Sequence, residues 1–313
     1  MKHSALRSRV RGVSLVEVMV SLVIGLVVVG AVLVSYMASG KSSAQQAAYA
    51  EMNENAQLGL GLLSRDLLLA GYAQPTGFEP VTPATVPPTF TGNLLRTYSG
   101  RPVFGCDEGF ADENVVGDVA CETGTPKSPA IEMVYEADFT NTVPTSSPGS
   151  VPSDCLGNGL TIDPTNTFYI AFNRYYLLTG TSGRSELHCA SRQGSAGQPL
   201  VDNVEAMKFW YGEAGVAPLA GVVPTPVVAL DHRRVLRYVT AGNLADASFA
   251  NVIAVKVCLL IRSSEAVLDM DLYPDPLLPP KYLDCDSTEQ TITDKFLRRA
   301  YFTTVTLRNK MAF

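Results

Sequence analysis

The stretch Arg11-Gly12-Val13-Ser14-Leu15-Val16-Glu17, together with the apolar run that follows it to Met37, decides the fold of this chain. No charged side chain occurs from Val18 to Met37. With Val13–Val16 added, the run reaches the length of a membrane-spanning helix, which needs about 20 apolar residues. Glu17 is the one acid within it. The sequence therefore predicts an apolar N-terminal helix that carries a single carboxylate.

Three interpretations compete for this N-terminal segment. A secretory signal peptide fits the four basic residues that precede Val13, but its apolar region would span only about 7–15 residues. A plain signal anchor explains both the basic residues and the longer run. Neither interpretation explains Glu17, because a carboxylate inside a spanning segment costs about 2.5–3.5 kcal/mol on insertion scales. The basic residues are Lys2, Arg7, Arg9 and Arg11.

The third interpretation gives Glu17 a role in assembly. Cleavage between Gly12 and Val13 would free the amine of Val13, which is a cation at neutral pH. Glu17 follows four residues later and could pair with such an amine on a neighbouring subunit. In a packed helical bundle this pairing would set the axial register of the subunits rather than add net stability.

The segment from Arg11 to Glu17 resembles the class III signal of type IV pilins and pseudopilins. The resemblance implies that residues 1–12 are a leader removed by a prepilin peptidase after Gly12. It also implies that Val13 becomes the N-methylated first residue and that Glu17 is the register acid. Val13 departs from the phenylalanine that is usual at this position.

The helix is expected to continue well beyond the apolar run, because no proline occurs from Val13 to Gln74. Residues 13–37 form the transmembrane or filament-core part, and residues 38–72 form an amphipathic part. An apolar stripe with spacings of three and four predicts the face that docks on the head. Gly71 is a plausible C-terminal glycine. The stripe consists of Tyr49, Met52, Ala56, Leu60, Leu63, Leu67 and Ala70.

Composition limits the function of the chain that remains after removal of the leader, residues 13–313. The net charge of the chain is −6, and removal of residues 1–12 leaves 20 basic against 30 acidic residues, a net charge of −10. Nucleic-acid binding depends largely on neutralising phosphates, so no direct nucleic-acid binding is expected.

Six cysteines lie in residues 73–313, and none lies in the apolar segment. An even number of cysteines behind an export signal indicates disulfides in an oxidising compartment. Six cysteines allow 15 pairings. Pairing by sequence neighbourhood is one of them and gives Cys106–Cys121, Cys155–Cys189 and Cys258–Cys285.

The head, residues 73–313, is predicted to be an α+β structure with a mainly antiparallel sheet, because strands follow one long helix without repeated βαβ units. Residues 251–262 give the clearest strand, with alternate positions wholly apolar. A long irregular segment is expected from residue 74 through the Cys106–Cys121 region, and a second loop at 141–165. Further strands are predicted at 130–139, 168–178, 184–191, 203–211 and 301–307.

Several stretches of the chain also resemble the PilW-type minor pilins of type IV pilus systems. They are Glu54-Asn55-Ala56, Leu63-Ser64-Arg65-Asp66-Leu67, Ala70-Gly71-Tyr72, Val204-Glu205-Ala206-Met207, Tyr211-Gly212, Ala250 to Arg262 and Phe302 to Asn309. Phe249 stands where the family is expected to have tryptophan. The proline-rich middle of the chain is not covered by the resemblance.

This resemblance implies a low-abundance subunit that primes pilus assembly or sits at the pilus tip, with roles in twitching motility, adhesion or DNA uptake. The implied partners are other minor pilins, the major pilin, the prepilin peptidase, a pilus-tip adhesin and the inner-membrane assembly platform. The subunit would span the inner membrane once with its head in the periplasm before assembly, and lie in the pilus afterwards. A minor pseudopilin of a type II secretion system is the alternative, since it shares the N-terminal signal and helix.

An enzymatic role is not expected, although a membrane-anchored periplasmic enzyme is the rival from another class. After leader removal only His188 and His232 remain, and there is no G-x-S-x-G, H-E-x-x-H or P-loop sequence. His188 adjoins Cys189, which would be no nucleophile if it formed a disulfide.

No metal site or cofactor is predicted. An acidic group formed by Asp269, Asp271, Asp275, Asp284 and Asp286 lacks the central glycine and the final glutamate of a calcium-binding EF-hand loop. A solvated loop is the favoured interpretation of this group.

Overall fold

In the computed structural model, one long helix carries a head of antiparallel sheets, which confirms the predicted α+β class. The structure describes residues 12–78, 94–98, 100–145, 150–162, 167–194, 196–214, 234–268, 270 and 279–310. Helix α1 runs from Leu15 to Leu69 without a break, 55 residues long. At 1.5 Å per residue, this corresponds to a rod of about 80 Å.

Both ends of α1 follow from local sequence. Ser14 is the N-cap, and its hydroxyl accepts a hydrogen bond from the amide of Val16. Gly71 has a φ of 73°, a left-handed conformation that glycine adopts without steric cost, and its amide donates to the carbonyl of Val134. The prediction that the helix stops near Gly71 is therefore confirmed, and the residue that ends it also joins the helix to a sheet.

The head contains two main sheets in which all described pairings are antiparallel. The five-stranded sheet has the order β3-β4-β5-β6-β7 and the four-stranded sheet the order β13-β10-β8-β9, while β1 pairs with β2 and β11 with β12. The strands are β1 Pro75–Phe78, β2 Leu94–Arg96, β3 Val103–Cys106, β4 Ala130–Ala137, β5 Tyr169–Thr179, β6 Ser185–Ser191, β7 Gln198–Asp202, β8 Val204–Ala214, β9 Val235–Val239, β10 Val252–Arg262, β11 Lys281–Leu283, β12 Glu289–Thr291 and β13 Arg298–Thr306. Short 3₁₀ helices occupy Ala241–Asn243, Asp246–Asn251 and Arg308–Lys310.

The six predicted strands correspond to β4, β5, β6, β8, β10 and β13. The expectation of one irregular segment from residue 74 through the Cys106–Cys121 region was wrong. This part of the chain contains β1, β2 and β3, and β3 is fully buried at the edge of the five-stranded sheet. The sequence analysis also missed β7, β9, β11 and β12. These strands are three to five residues long, too short to show alternation clearly.

The core lies where the second half of α1 packs on both sheets. Met52, Ala56, Leu63 and Leu67 of the predicted stripe are buried in it. Tyr49, which was also assigned to the stripe, is 42% exposed. The remaining buried positions of α1 include Ala48, Gly59 and Asp66.

Gly59 lies at the point where α1 meets both sheets. A Cβ atom there would stand 2.8 Å from Leu259 Cδ1 of β10, and near Leu187 of β6 and Val201 of β7. A side chain at this position would require Leu259 to shift, and a large one would also press on Leu187 and Val201. At Gly59, α1 therefore packs against both sheets.

Candidate assembly surface

The first part of α1, together with Gly12 and Val13, carries the predicted assembly residues and is exposed throughout. Every residue from Gly12 to Met37 is exposed, with Val13 at 67% and Leu15 at 76%. This part of α1 is long and apolar enough to cross a membrane, and none of it is buried. A soluble monomer rarely exposes an apolar surface of this size, so the segment needs a membrane or a protein partner.

The predicted cleavage site lies just before the helix. Gly12 and Val13 precede the N-cap Ser14 and belong to no helix or strand. Glu17 stands in the first turn of α1, where a carboxylate interacts favourably with the positive end of the helix dipole. Gly12, Val13 and Glu17 are thus neighbours at one exposed end of the molecule, and their roles in cleavage, methylation and register stay predictions.

The opposite end of α1 is fixed to the head by a buried polar cluster that the sequence analysis missed. The carboxylate of Asp66 accepts hydrogen bonds from the side-chain amide of Asn173 at 2.6 Å and from the hydroxyl of Tyr175 at 2.7 Å. The Asn173 amide also donates to the hydroxyl of Tyr135 at 3.1 Å. Burial raises the pKa of Asp66, although these hydrogen bonds act in the opposite direction.

The signal for this cluster was present in the sequence but its meaning was ambiguous. Asp66 follows Leu63 by three positions and therefore lies on the buried face of α1. An acid on an apolar stripe indicates a buried partner, and its partners on β5 are 107 and 109 residues away. Sequence spacing alone does not identify such distant partners.

Asn309 satisfies the carbonyl groups at the C-terminal end of α1. Its side-chain amide donates to the carbonyls of Leu68 at 2.9 Å and Leu69 at 3.3 Å. The last carbonyls of a helix have no partner within the helix. Hydrogen bonds from Tyr301 to Asn53 and from Gln45 to the carbonyl of Val267 hold the middle of α1 as well.

A second buried polar group stabilises the face of the five-stranded sheet that points away from α1. Arg174 and Glu132 form an ion pair at 2.9 Å, and both side chains are at most 1% exposed. The same guanidinium donates to the carbonyls of Glu113, Val115 and Gly117. Arg174 therefore fastens the 113–117 loop to the sheet.

The three disulfides join neighbours in the sequence. They are Cys106–Cys121, Cys155–Cys189 and Cys258–Cys285. Each bridge connects a strand, β3, β6 or β10, to a loop. Because Cys189 is bonded to Cys155, it is not a free thiol beside His188.

No group of three or more metal-ligating side chains is found among the described residues. Asp284 accepts hydrogen bonds from the amides of Asp286 and Thr288 and from the side chain of Gln290, which lowers its pKa. Asp269, Asp271 and Asp275 lie outside the described residues.

Comparison with known proteins agrees with these features. Residues 174–309 match the family described as type IV pilus-assembly protein W, PilW. Residues 7–33 match the prokaryotic N-terminal methylation motif. These two matches support a PilW-like type IV pilin. No curated protein shows significant sequence similarity to it.

One solved structure similar to this PilW-like pilin is a type IV-like pilin from Thermus thermophilus. The two sequences are 12% identical, the match covers 83% of this chain and 98% of the other, and the TM-score is 0.33. The PilW match begins at Arg174 and includes β8, β10, β13 and Asn309.

The two family matches together indicate where this protein is located in the cell and how it is processed. The prepilin signal and the apolar helix support membrane anchoring of the precursor and incorporation into a pilus. They also imply a prepilin peptidase that processes it. Pilins are structural subunits, which suggests a structural role for this chain.

Proposed function

We propose that this minor pilin primes the assembly of a type IV pilus or sits at its tip. The observation that carries the proposal is the exposed apolar segment up to Met37, which continues as one helix into a head held by three disulfides. Such a subunit can leave the membrane only when other apolar helices cover this segment, as they do in the core of a filament.

The proposal assigns a role to each residue of the N-terminal site. The prepilin peptidase cuts after Gly12, Val13 becomes the methylated N-terminus, and Glu17 pairs with the Val13 amine of a neighbouring subunit. Before assembly the chain spans the inner membrane once and its head is in the periplasm. The disulfides support this orientation, because they form in the oxidising periplasm and not in the cytoplasm.

The partners follow from the same proposal. Other minor pilins and the major pilin contact the α1 segment, the assembly platform accepts the processed subunit from the membrane, and a tip adhesin binds beyond the head. The head has a large acidic surplus, so direct contact with nucleic acid is not part of this function.

Mass spectrometry and co-purification test the proposal. In cells with active prepilin peptidase, the mature protein should begin at methylated Val13, and other minor pilins should co-purify with it. Immunogold labelling should mark filament ends. A terminus at Met1, or labelling along whole filaments, would contradict the proposal. Co-purification with type II secretion pseudopilins would favour the alternative subunit class.

A further inference from the structure

A large cleft lies on the head, on the face of the five-stranded sheet that points away from α1. It has a volume of about 1000 Å³, which is at the upper end of the range for ligand pockets. Ile131 and Met133 of β4 face the core beneath α1, whereas Glu132 and Val134 line the cleft. This separation follows from the alternation of side chains along a strand.

The walls of the cleft combine aromatic rings with two arginines. Tyr98, Phe168 and Phe172 line it, and the guanidinium of Arg192 stacks over the ring of Phe172 at 4.3 Å. The guanidinium of Arg101 lies 3.8 Å from the centroid of Phe104. These side chains offer ring surfaces and charged hydrogen-bond donors next to each other.

The positive charges of Arg101 and Arg192 are only weakly neutralised by neighbouring carboxylates. Arg192 pairs with Asp118 at 3.2 Å, but the Asp118 side chain is 75% exposed, and an exposed ion pair contributes at most about 1 kcal/mol. Arg101 makes no ion pair within the described part of the chain. The buried Glu132 also interacts electrostatically with both arginines, but its nearest partner is Arg174 at 2.9 Å. With Arg174 included, three arginines stand against the two carboxylates of Asp118 and Glu132, so the region of the cleft has a net positive charge on a head that is strongly acidic.

The walls and floor of the cleft are held in place by buried residues. Arg174, which is fully buried, holds the loop that supplies Val116, Gly117 and Asp118 to one wall. The floor is formed by Glu132 and Val134, both about 1% exposed. The wall and the floor are therefore held by buried contacts before any ligand arrives.

The position of the cleft excludes one common way of binding a peptide. An extended peptide usually adds to the free edge of a sheet through main-chain hydrogen bonds. The strands under the cleft, β4 and β5, each have two neighbours, so their main-chain groups are already paired. Recognition must use side chains alone, namely rings, guanidinium groups and the short polar side chains of Thr161 and Ser191.

We propose that this cleft binds an acidic saccharide, with a carboxylate on Arg101 or Arg192 and sugar rings against Tyr98 and Phe168. Carboxylates form strong, paired hydrogen bonds with guanidinium groups, and aromatic rings cover the apolar faces of sugars. The inference deepens the proposed function: if α1 lies in the filament core, this face of the head points outward. A subunit at the tip would then present the cleft to surface polysaccharides.

Isothermal titration of the mature full chain in detergent micelles tests the proposal at low salt. The probes are trigalacturonic acid and 3′-sialyllactose, with lactose as the neutral counterpart and hexaglutamate as an acidic peptide. At least one acidic sugar should bind and lactose should not. At least one of Arg192→Gln and Arg101→Gln should weaken binding about tenfold or more, the size expected for a charged hydrogen bond. Lys281→Gln, which changes an exposed cation of β11, should have no effect.

Two further variants separate recognition from misfolding and from simple charge attraction. Asp118→Asn removes the carboxylate that competes for Arg192 and should tighten acidic-sugar binding about two- to fivefold, a gain that misfolding does not produce. Phe168→Ala should weaken sugar binding and leave hexaglutamate binding unchanged. The inference is wrong if neither acidic sugar binds, if lactose binds equally, if hexaglutamate binds as tightly as the sugars, or if the arginine variants bind normally. Because binding is measured without a filament, its failure leaves the assembly function standing, and a failure of assembly leaves the binding result unaffected.

Discussion

The carboxylate of Asp66 on α1 accepts a hydrogen bond of 2.7 Å from the hydroxyl of Tyr175 on β5, and both residues are buried. This contact joins the part of the molecule that enters the membrane or filament to the part that folds as a head. The strength of this contact affects how firmly α1 is attached to the sheets of the head.

Replacing Asp66 tests the importance of this junction. Asp66→Leu leaves the Tyr175 hydroxyl and one of the two N–H groups of the Asn173 amide without an acceptor, and each loss costs about 1–3 kcal/mol. We expect the free energy of unfolding to fall by about 2–4 kcal/mol, measured by chemical denaturation followed by circular dichroism. Asp66→Asn keeps one acceptor oxygen and should stay within about 1 kcal/mol of the parent chain. Equal stability of Asp66→Leu and the parent would show that the cluster is not needed.

The same residue predicts a pH dependence. Burial raises the pKa of Asp66 in the folded chain, so its contribution to stability is fully present below the unfolded pKa and is lost as pH rises through the folded pKa. Asp66→Asn lacks this loss. The variant should therefore gain stability relative to the parent as pH rises above about 4, the ordinary pKa of an aspartate. The pKa values of Asp138, Asp284 and Asp294 are lowered in the folded chain, so these residues make both proteins more stable as pH rises. Their effect is the same in the parent and in Asp66→Asn, and it therefore cancels when the two stabilities are subtracted. A difference that does not change as pH rises would contradict the assignment.

Two glycines of α1 provide a matched pair of substitutions. A Cβ at Gly59 meets Leu259 at 2.8 Å, whereas a Cβ at Gly61 meets nothing within 4 Å. Gly59→Leu should destabilise the chain by about 1–3 kcal/mol through overpacking. Gly61→Leu should stabilise it slightly, because leucine favours helices more than glycine does. Thermal unfolding distinguishes the two, and similar melting temperatures would show that α1 does not sit closely on both sheets.

Arg174 is expected to be essential for the head. Arg174→Met leaves Glu132 as an unpaired buried charge and should cost about 3–5 kcal/mol. The 113–117 loop should also exchange its amide hydrogens faster, which mass spectrometry can follow. Lys281→Met is the control, since Lys281 pairs with Glu289 and both side chains are more than half exposed, and it should cost about 1 kcal/mol or less. Equal effects of the two variants would argue against the importance of burial.

Glu17 is expected to act in assembly and not in folding. Glu17→Ala should insert into the membrane and be processed normally, but its incorporation into pili should fall, as judged by immunoblotting of sheared filaments. Glu17→Gln should show the same defect, because the amide cannot form an ion pair with the Val13 amine. Glu54→Ala, at an exposed position of α1, serves as the control. Full incorporation of Glu17→Ala would rule out the register role.

The sequence predicted the helices and strands whose pattern of apolar residues extends over enough adjacent positions to be recognised. The apolar run up to Met37, the glycine at position 71 and the alternation over residues 251–262 each specify their structure from adjacent residues. The strand β3 has four residues directly after Pro102, and all four are buried, so it shows no alternation. Its structure depends on pairing with β4 and on the bridge to Cys121.

The polar contacts of the head could not be predicted for a similar reason. Asp66, Glu132 and Arg174 are charged residues that a sequence pattern assigns to the surface. Their burial is possible only because partners from distant segments satisfy them, such as the carbonyls of the 113–117 loop. The cleft on the outer face of the sheet depends on the same long-range contacts.

The hydrogen bonds from Asn309 to Leu68 and Leu69 also set an order of events during synthesis. Asn309 follows these carbonyls by 241 and 240 residues, so these two hydrogen bonds form only after nearly all of the head has been made. Contacts of such long sequence separation form late, because the intervening chain must first be ordered. A chain that is not yet complete therefore lacks these two hydrogen bonds between α1 and the end of the head. Their formation physically distinguishes a finished subunit from an unfinished one.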